Sequence, residues 1–305
     1  MQNPKISVLM SVYNSDEYIS YSIKSILEQS YKKFEFLIID DGSKDDSLKI
    51  IKKYSKKDQR IKIIINKKNI GLTKSLNKLA KIAKGNFIAR MDADDISHAE
   101  RFKEQINWFR KNPKKILLGT SGIKIDEKGN IIKSLNLKSL SHKKILKKLT
   151  FNNLYLHSST MFKKSLFFKV GGYRNFFKYA QDYDLWCRMS KYGLVGNLNK
   201  ELVSIRFHSK SLSYKKKKLQ SFYAIIASCL NYDNDLNLNS FNKKNFFNQM
   251  TKRKSLFKHF RCLRFLYSND LPKKYSINFF SLTNVEKLYL LIDIKFLIIK
   301  ILKKN

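Results

Sequence analysis

Residues 87–97 read "FIARMDADDIS", a short apolar run that ends in three carboxylates, Asp92, Asp94 and Asp95. The chain around them is strongly basic, with 62 Lys and Arg against 24 Asp and Glu and a formal charge of +38. Like charges this close repel, so the cluster needs a neutralising partner. A strand that delivers acids to its carboxyl end in an α/β sheet delivers them where such sheets bind ligands.

Working outward, the neighbouring stretches have the same form. "KISVLMSVYN" (5–14) is an apolar strand running into a polar loop, and "EYISYSIKSILEQS" (17–30) has helical spacing at Ile19, Ile23, Ile26 and Leu27. "FEFLIIDDGSKDDS" (34–47) is a second strand with an acidic turn, followed by a helix that includes Leu48, Ile51 and Tyr54. "RIKIIIN" (60–66) is a third strand, and "TKSLNKLAKIAKG" (73–85) a helix closed by Gly85 in a left-handed C-terminal position. Strands alternating with helices predict an α/β fold with a central, mostly parallel sheet. The loops at 11–14, 40–43 and 92–95 should then meet on one edge of it.

Farther along, "ILLGTSGIKIDEKGNIIKSL" (116–135) predicts two strands joined by a glycine-containing turn. A helix, a strand or hairpin, and a second helix opening near Gln181 follow. Beyond residue 212 the chain becomes helical, aromatic and basic, with a run from Lys215 to Lys218.

Asp92 and Asp94, two apart at a strand end, can face the same way and share one hard divalent cation with diphosphate oxygens. Asp95 would hold the loop or start the next helix. Capping of the helix in "ISHAERFKEQINWF" (96–109) is the competing use of all three acids. Asp40 or Asp41 can accept hydrogen bonds from a base or a ribose, and Gly42 permits the tight turn. "YAQDYDLWCRM" (179–189) sets Asp182 and Asp184 among aromatics. There Asp182 is either a general base or a helix cap. Of the five histidines, His157 and His208 stand near these stretches. His208 is read either as a nitrogen ligand or as an ordinary polar residue.

The three cysteines are too few and too scattered for a disulfide scaffold or a zinc knuckle, which fits a reducing cytoplasm. "MQNPKISVLMSVYN" lacks the basic lead and long apolar stretch of a secretory signal. The charge attracts polyanions at low salt, although Lys-, Ile- and Asn-rich composition is also what an AT-rich coding sequence yields. A nucleic-acid-binding protein is the rival that charge suggests. The lysines are dispersed, however, and no helix-turn-helix, zinc-finger or RNA-recognition sequence is visible. Glycoside hydrolysis would also use paired acids, but not nucleotide-type strand-end loops. A nucleotidyltransferase on a related fold would use Asp-bound cations and release pyrophosphate.

"NVEKLYLLIDIKFLIIKILKKN" (284–305) is apolar but carries Asp293, Lys295 and Lys300, which makes it a poor membrane span. It reads as an interfacial helix burying Leu288, Leu291, Ile292, Phe296, Ile299 and Leu302 against anionic lipid, or as a segment packed on the core or a second subunit.

Six stretches, in order, carry a resemblance: "ISVLMSVYNSDEYISYSIKSILEQS", "FEFLIIDDGSKDDS", "NIGLTKSLNKLAKIAKGNFIARMDADD", "LHSSTMFKKSLFFKVGGY", "QDYDLWCRM" and "VSIRFHSKSLS". Over residues 4–213 the chain resembles inverting glycosyltransferase family 2, which has the GT-A fold and includes many transferases of bacterial surface polysaccharide and lipooligosaccharide.

The resemblance implies a catalytic domain over 1–212 and a helical region over 213–305. The nucleotide-sugar half covers about 1–96 and the acceptor half about 97–212. It also implies Ser11 and Tyr13 against the nucleotide, Asp41 on uracil with Asp40 beside it, and Asp92 and Asp94 on ribose and Mn²⁺ or Mg²⁺ with Asp95 sharing that role. Asp182 is implied as the base, preceded by Gln181 where the family usually has Glu. His208 approaches the metal or diphosphate, with Arg206 as its phosphate-facing companion. The expected donor is a UDP-sugar, and the acceptor a glycan or lipid-linked glycan. The expected place is the cytoplasmic face of a membrane, held peripherally.

Overall fold

The computed structural model describes residues 6–211, 214 and 216–233. The chain divides into two compact units, residues 1–149 with 153–215, and residues 150–152 with 216–305. In the second unit the described segment contains one helix, Lys217–Tyr232, in the stretch where the sequence predicted a basic, aromatic and apolar helix. Residues 284–305 lie outside the described residues. Among the described residues no helix is long and apolar enough to cross a membrane.

The first unit is built on a nine-stranded sheet. β1 (Ile6–Val12), β2 (Phe34–Asp40), β3 (Ile61–Ile65) and β4 (Phe87–Arg90) lie parallel in the order β3-β2-β1-β4. All seven residues of β2 are buried, as a strand covered on both faces requires. Helix α1 (Ile19–Leu27) buries Ile19, Ile23 and Ile26, the spacing of a single helical face. Helices α2 (Ser47–Lys57) and α3 (Leu72–Ile82) follow β2 and β3. Gly85 is not the left-handed cap of α3: the helix ends at Ile82, and Ala83 behind it is extended.

Past β4 the sheet becomes mixed. β8 (Met161–Lys163) runs antiparallel to both β4 and β6 (Lys115–Ile125). β7 (Ile131–Leu135) pairs antiparallel to β6, with Gly129 at φ +94° in the turn between them. β9 (Leu194–Arg206) lies parallel to β6 and also pairs antiparallel with the two-residue strand β5 (Ile96–Ser97). The mostly parallel sheet therefore holds for the N-terminal half, where β1, β2 and β3 are each followed by a helix. The β8 and β5 pairings alternate direction and were not readable from strands this short. The β5–β9 register, Ile96↔Ser204, brings residues 206–208 beside Asp94 and Asp95 across more than a hundred residues of sequence.

The remaining helices are α4 (Arg101–Arg110), α5 (His142–Leu149), α6 (Lys164–Lys169) and α7 (Gln181–Met189), with a 3₁₀ turn at His157–Ser159.

Candidate active site

β1, β2 and β4 are parallel, so the loops after them leave the sheet at one edge, as expected from the sequence. Two of these loops are laced together. Asn14 N–H donates to Ser43 Oγ at 3.1 Å, Ser15 N–H to Ser47 Oγ at 2.8 Å, and Lys44 N–H to Asn14 Oδ1 at 2.9 Å. Asn14 sits at φ +49°, a turn that leaves Tyr13 45% exposed at the tip, with half-buried Ser11 behind it in β1. Gly42 has φ +77°, and a Cβ there would lie 2.8 Å from the Lys68 carbonyl carbon. That close approach holds the acidic turn against residues 68–69.

The two acids of this turn differ. Asp41 accepts from Asn66 Nδ2 at 2.7 Å, Ile70 N–H at 3.0 Å and Gly71 N–H at 2.9 Å, so its carboxylate ties down the loop after β3. Asp40 Oδ2 accepts from Ser43 N–H at 3.2 Å, while its Oδ1 has no hydrogen-bond partner. The acid read as recognising uracil is the one whose oxygens are already filled.

The acids of "DADD" also diverge. None caps α4, which begins at Arg101, past the strand β5. Asp92 pairs with the guanidinium of Arg90, itself buried, and its Oδ2 lies 2.7 Å from Ser158 Oγ. Burial pushes the Asp92 carboxyl up, but the charges of Arg90 and His157 and the hydrogen bonds of Ser158 and Arg90 together hold it below the usual range. Asp95 is buried, takes Arg206 N–H on Oδ1 at 2.9 Å and touches Ser158 Oγ with Oδ2. Burial, then the charges of Asp94 and Asp92, push its carboxyl well above the usual range. A single Ser158 hydroxyl proton cannot serve two carboxylates at once, a contact pattern that favours proton uptake by Asp95 in the same direction as its burial.

Asp94, like Asp92, is partly exposed. Its Oδ2 lies 2.9 Å from His208 Nε2, and His208 Nδ1 is buried without a partner. Asp94 and His208 are thus brought together, while Asp92 faces Arg90. Among the described residues no three His, Cys, Asp or Glu side chains form a ready metal ligand set. Asp94 and His208 nevertheless offer adjacent oxygen and nitrogen donors suited to Mn²⁺ or Mg²⁺ when diphosphate oxygens complete the shell.

Arg206 does not face outward as a phosphate companion. Its Nε donates to Asp94 O at 3.0 Å and its Nη1 to Asp126 O at 3.0 Å and Glu127 O at 2.9 Å. It braces the acidic loop against the β6–β7 turn.

On α7 the N-cap is Ala180, in the left-handed region at φ +54°, so Asp182 lies in the first turn and does not cap the helix. Its Oδ2 accepts from Asn153 Nδ2 at 2.8 Å. Gln181 is buried. Asp184 is also buried and pairs with Arg188 at 2.6 Å and Arg174 at 3.3 Å.

His157 Nε2 lies 3.0 Å from Tyr173 Oη. Burial and the neighbouring Arg90 charge lower His157 to about 4, opposed by Asp182 and Asp92. Burial raises the Tyr173 hydroxyl, and the charges of Asp182 and Asp92 act on it as well. The His157 ring also lies 6.2 Å from that of Trp186 on α7, and the adjacent Ser158 holds Asp92, so this segment links the acidic loop to the helix that carries Asp182.

Sequence reading missed Arg90, Ser158, Tyr173 and Asn153. A lone arginine inside a buried strand, two residues before an acid, was the available signal for Arg90. Nothing in "FNNLY" marked Asn153.

The parallel nucleotide-side sheet continuing into a mixed half, with acids at the shared strand edge, is the GT-A architecture of nucleotide-sugar transferases. The structure of S. aureus TarS 1–349 in complex with UDP-GlcNAc is similar, with a TM-score of 0.63 and 18% identity over 89% of this chain and 82% of that one. So is the mannosyltransferase PcManGT from Pyrobaculum calidifontis in complex with GDP-Man and Mn²⁺, with a TM-score of 0.57 and 15% identity over 78% of this chain and 66% of that one.

Residues 7–171 match the glycosyl transferase family 2, and the chain belongs to that family. The O-antigen biosynthesis glycosyltransferase WbnJ of Escherichia coli is 38% identical over 68% of this chain and 81% of its own length. The putative glycosyltransferase EpsE of Bacillus subtilis (strain 168) is 36% identical over 69% of this chain and 78% of its own.

Proposed function

We propose that the protein is an inverting transferase that moves a hexose or N-acetylhexosamine from a UDP-sugar to a hydroxyl of a growing surface glycan or lipid-linked glycan. The observation that carries this reading is that Ser158 holds Asp92 while the adjacent His157 packs its ring 6.2 Å from Trp186 of α7, the helix that carries Asp182, beside the edge where the β1, β2 and β4 loops emerge. The relatives' roles in surface polysaccharide assembly favour the acceptor class, and the UDP-GlcNAc held by TarS favours the donor.

Asp182 takes the proton of the acceptor hydroxyl. The freed oxygen lone pair forms a bond to the anomeric carbon from the face opposite the diphosphate. The bond to the diphosphate oxygen breaks with its electron pair, and the configuration inverts. Exposed Tyr13 offers a ring for the base, and Ser11 lines the strand end behind it. Arg90 pairs with Asp92 and favours its ionised form. Asp94 and His208 would hold a divalent cation, which when bound offsets charge on the leaving diphosphate.

The test is a screen of UDP-, dTDP-, GDP- and CMP-sugars for thermal stabilisation that depends on Mn²⁺ or Mg²⁺, followed by product analysis. UDP-selective stabilisation and release of nucleoside diphosphate are expected. Release of pyrophosphate from a nucleoside triphosphate would instead identify a nucleotidyltransferase.

A further inference from the structure

We infer that Asn153 is a positioning residue for the base: it fixes the Asp182 carboxylate so that one oxygen, Oδ1, is presented to the acceptor. This rests on the proposed role of Asp182.

The carboxamide of Asn153 can be oriented in only one way. Its Oδ1 accepts the Tyr155 backbone N–H at 3.1 Å, which turns Nδ2 toward Asp182 Oδ2 at 2.8 Å. A flipped amide would set an NH₂ against a backbone N–H and an oxygen against a carboxylate, losing both bonds. Asp182 Oδ2 is therefore held by an N–H whose direction the Tyr155 contact sets.

The loop that carries Asn153 is itself fastened on both sides. Leu149 O accepts from Tyr183 Oη at 2.6 Å and from Cys187 Sγ at 3.7 Å, two positions one turn apart on α7. Leu154 O accepts from Asn197 Nδ2 at 3.1 Å, and Tyr155 is buried with its ring 6.0 Å from Trp186. Leu149 thus meets α7 near Tyr183 and Cys187, Tyr155 packs on Trp186, and Asn153 reaches Asp182 in the first turn. A freely rotating carboxylate presents its lone pairs in many directions. One oxygen locked by a fixed N–H leaves the other aimed, which is how preorganisation raises a rate without tightening substrate binding.

Asn153→Asp isolates the contact. The variant has nearly the same shape and keeps an acceptor for Tyr155 N–H, but it replaces the N–H donor with an oxygen that repels Asp182. Asn153→Ala removes both bonds. The readout is UDP release from UDP-GlcNAc, UDP-glucose and UDP-galactose with water as acceptor, beside donor affinity and melting temperature, for full-length protein. Asn153→Asp is expected to lower kcat about tenfold or more with donor KM and melting temperature near those of the unaltered protein. In an Asp182→Asn background, Asn153→Asp is expected to add no further loss, because the group it positions is gone.

A kcat for Asn153→Asp equal to the unaltered enzyme would overturn the inference. So would full additivity with Asp182→Asn, or a loss confined to Asn153→Ala and accompanied by a lower melting temperature. If Asp182→Asn alone retains full UDP release, the assignment of the base has failed. If Asp182→Asn loses it and Asn153→Asp does not, only the role of Asn153 has failed.

Discussion

The acid pairs Asp94–Asp95, in the loop between β4 and β5, and Asp182–Asp184, on α7, solve one problem in two ways. Each has a half-buried carboxylate in the site and a fully buried one behind it. Asp184 stays charged in the interior because Arg188 and Arg174 both reach it. Among the described residues no cationic side chain pairs with Asp95; a backbone N–H and Ser158 hold it, and burial with the charges of Asp94 and Asp92 raises its carboxyl. An ion pair gives α7 a rigid mount for Asp182. The raised proton affinity of Asp95 acts against a build-up of negative charge around Asp94. Adjacent acids of one sequence motif are therefore not interchangeable, and substituting them separates the two designs.

The largest expected effect lies on Asp182. Asp182→Asn should cut nucleoside diphosphate release about a thousandfold while donor-dependent thermal stabilisation remains. Asp184→Ala is the counterpart. It strands two arginines near α7 and should lower unfolding stability by about 3 kcal/mol in a urea titration. If Asp184→Ala abolished catalysis without changing stability, the division of roles on α7 would be reversed.

Gly42→Ala probes the nucleotide edge. A left-handed φ and a Cβ pressed onto the Lys68–Asn69 backbone should reduce stability by about 2 kcal/mol and weaken UDP binding in calorimetry. Unchanged affinity would detach this turn from the donor site.

The smallest effect is the most diagnostic of protonation. The folded-state proton affinity of Asp95 is raised, so the native state holds a proton that the unfolded chain releases above about pH 4. Stability from this group is complete below that pH and declines as pH rises toward the folded-state value. Asp95→Asn cannot titrate. Relative to it, the unaltered protein should lose stability between pH 4 and pH 7, measured by denaturation at both ends. A constant difference would show that Asp95 is ionised. His157 has the opposite sign. Lowered to about 4, it destabilises the fold as pH falls from 6.5 toward 4, and His157→Gln should blunt that acid sensitivity.

Much of the nucleotide half was legible. The runs 6–12, 34–40 and 87–90 are apolar and short, each bounded by a polar loop, and crossover helices make parallel neighbours of them. That logic alone put residues 13, 40–42 and 92–95 on one edge. It could not separate Asp40 from Asp41, since the difference lies in which backbone N–H groups of residues 70 and 71 come back to meet them. Arg206 shows the same limit. Its charge suggested phosphate, but three carbonyls from two distant turns surround its guanidinium.

By itself the sequence determined the strand–helix alternation, the places where acids end strands, and membership in a family of sugar transferases, because periodicity and motif order are local along the chain. Only the tertiary structure decided which acid is buried without a paired cation, which is ion-paired, and which remains for chemistry. Those states depend on desolvation and on partners supplied from residues 153, 158, 188 and 208, whose approach is fixed by strand pairing and helix docking.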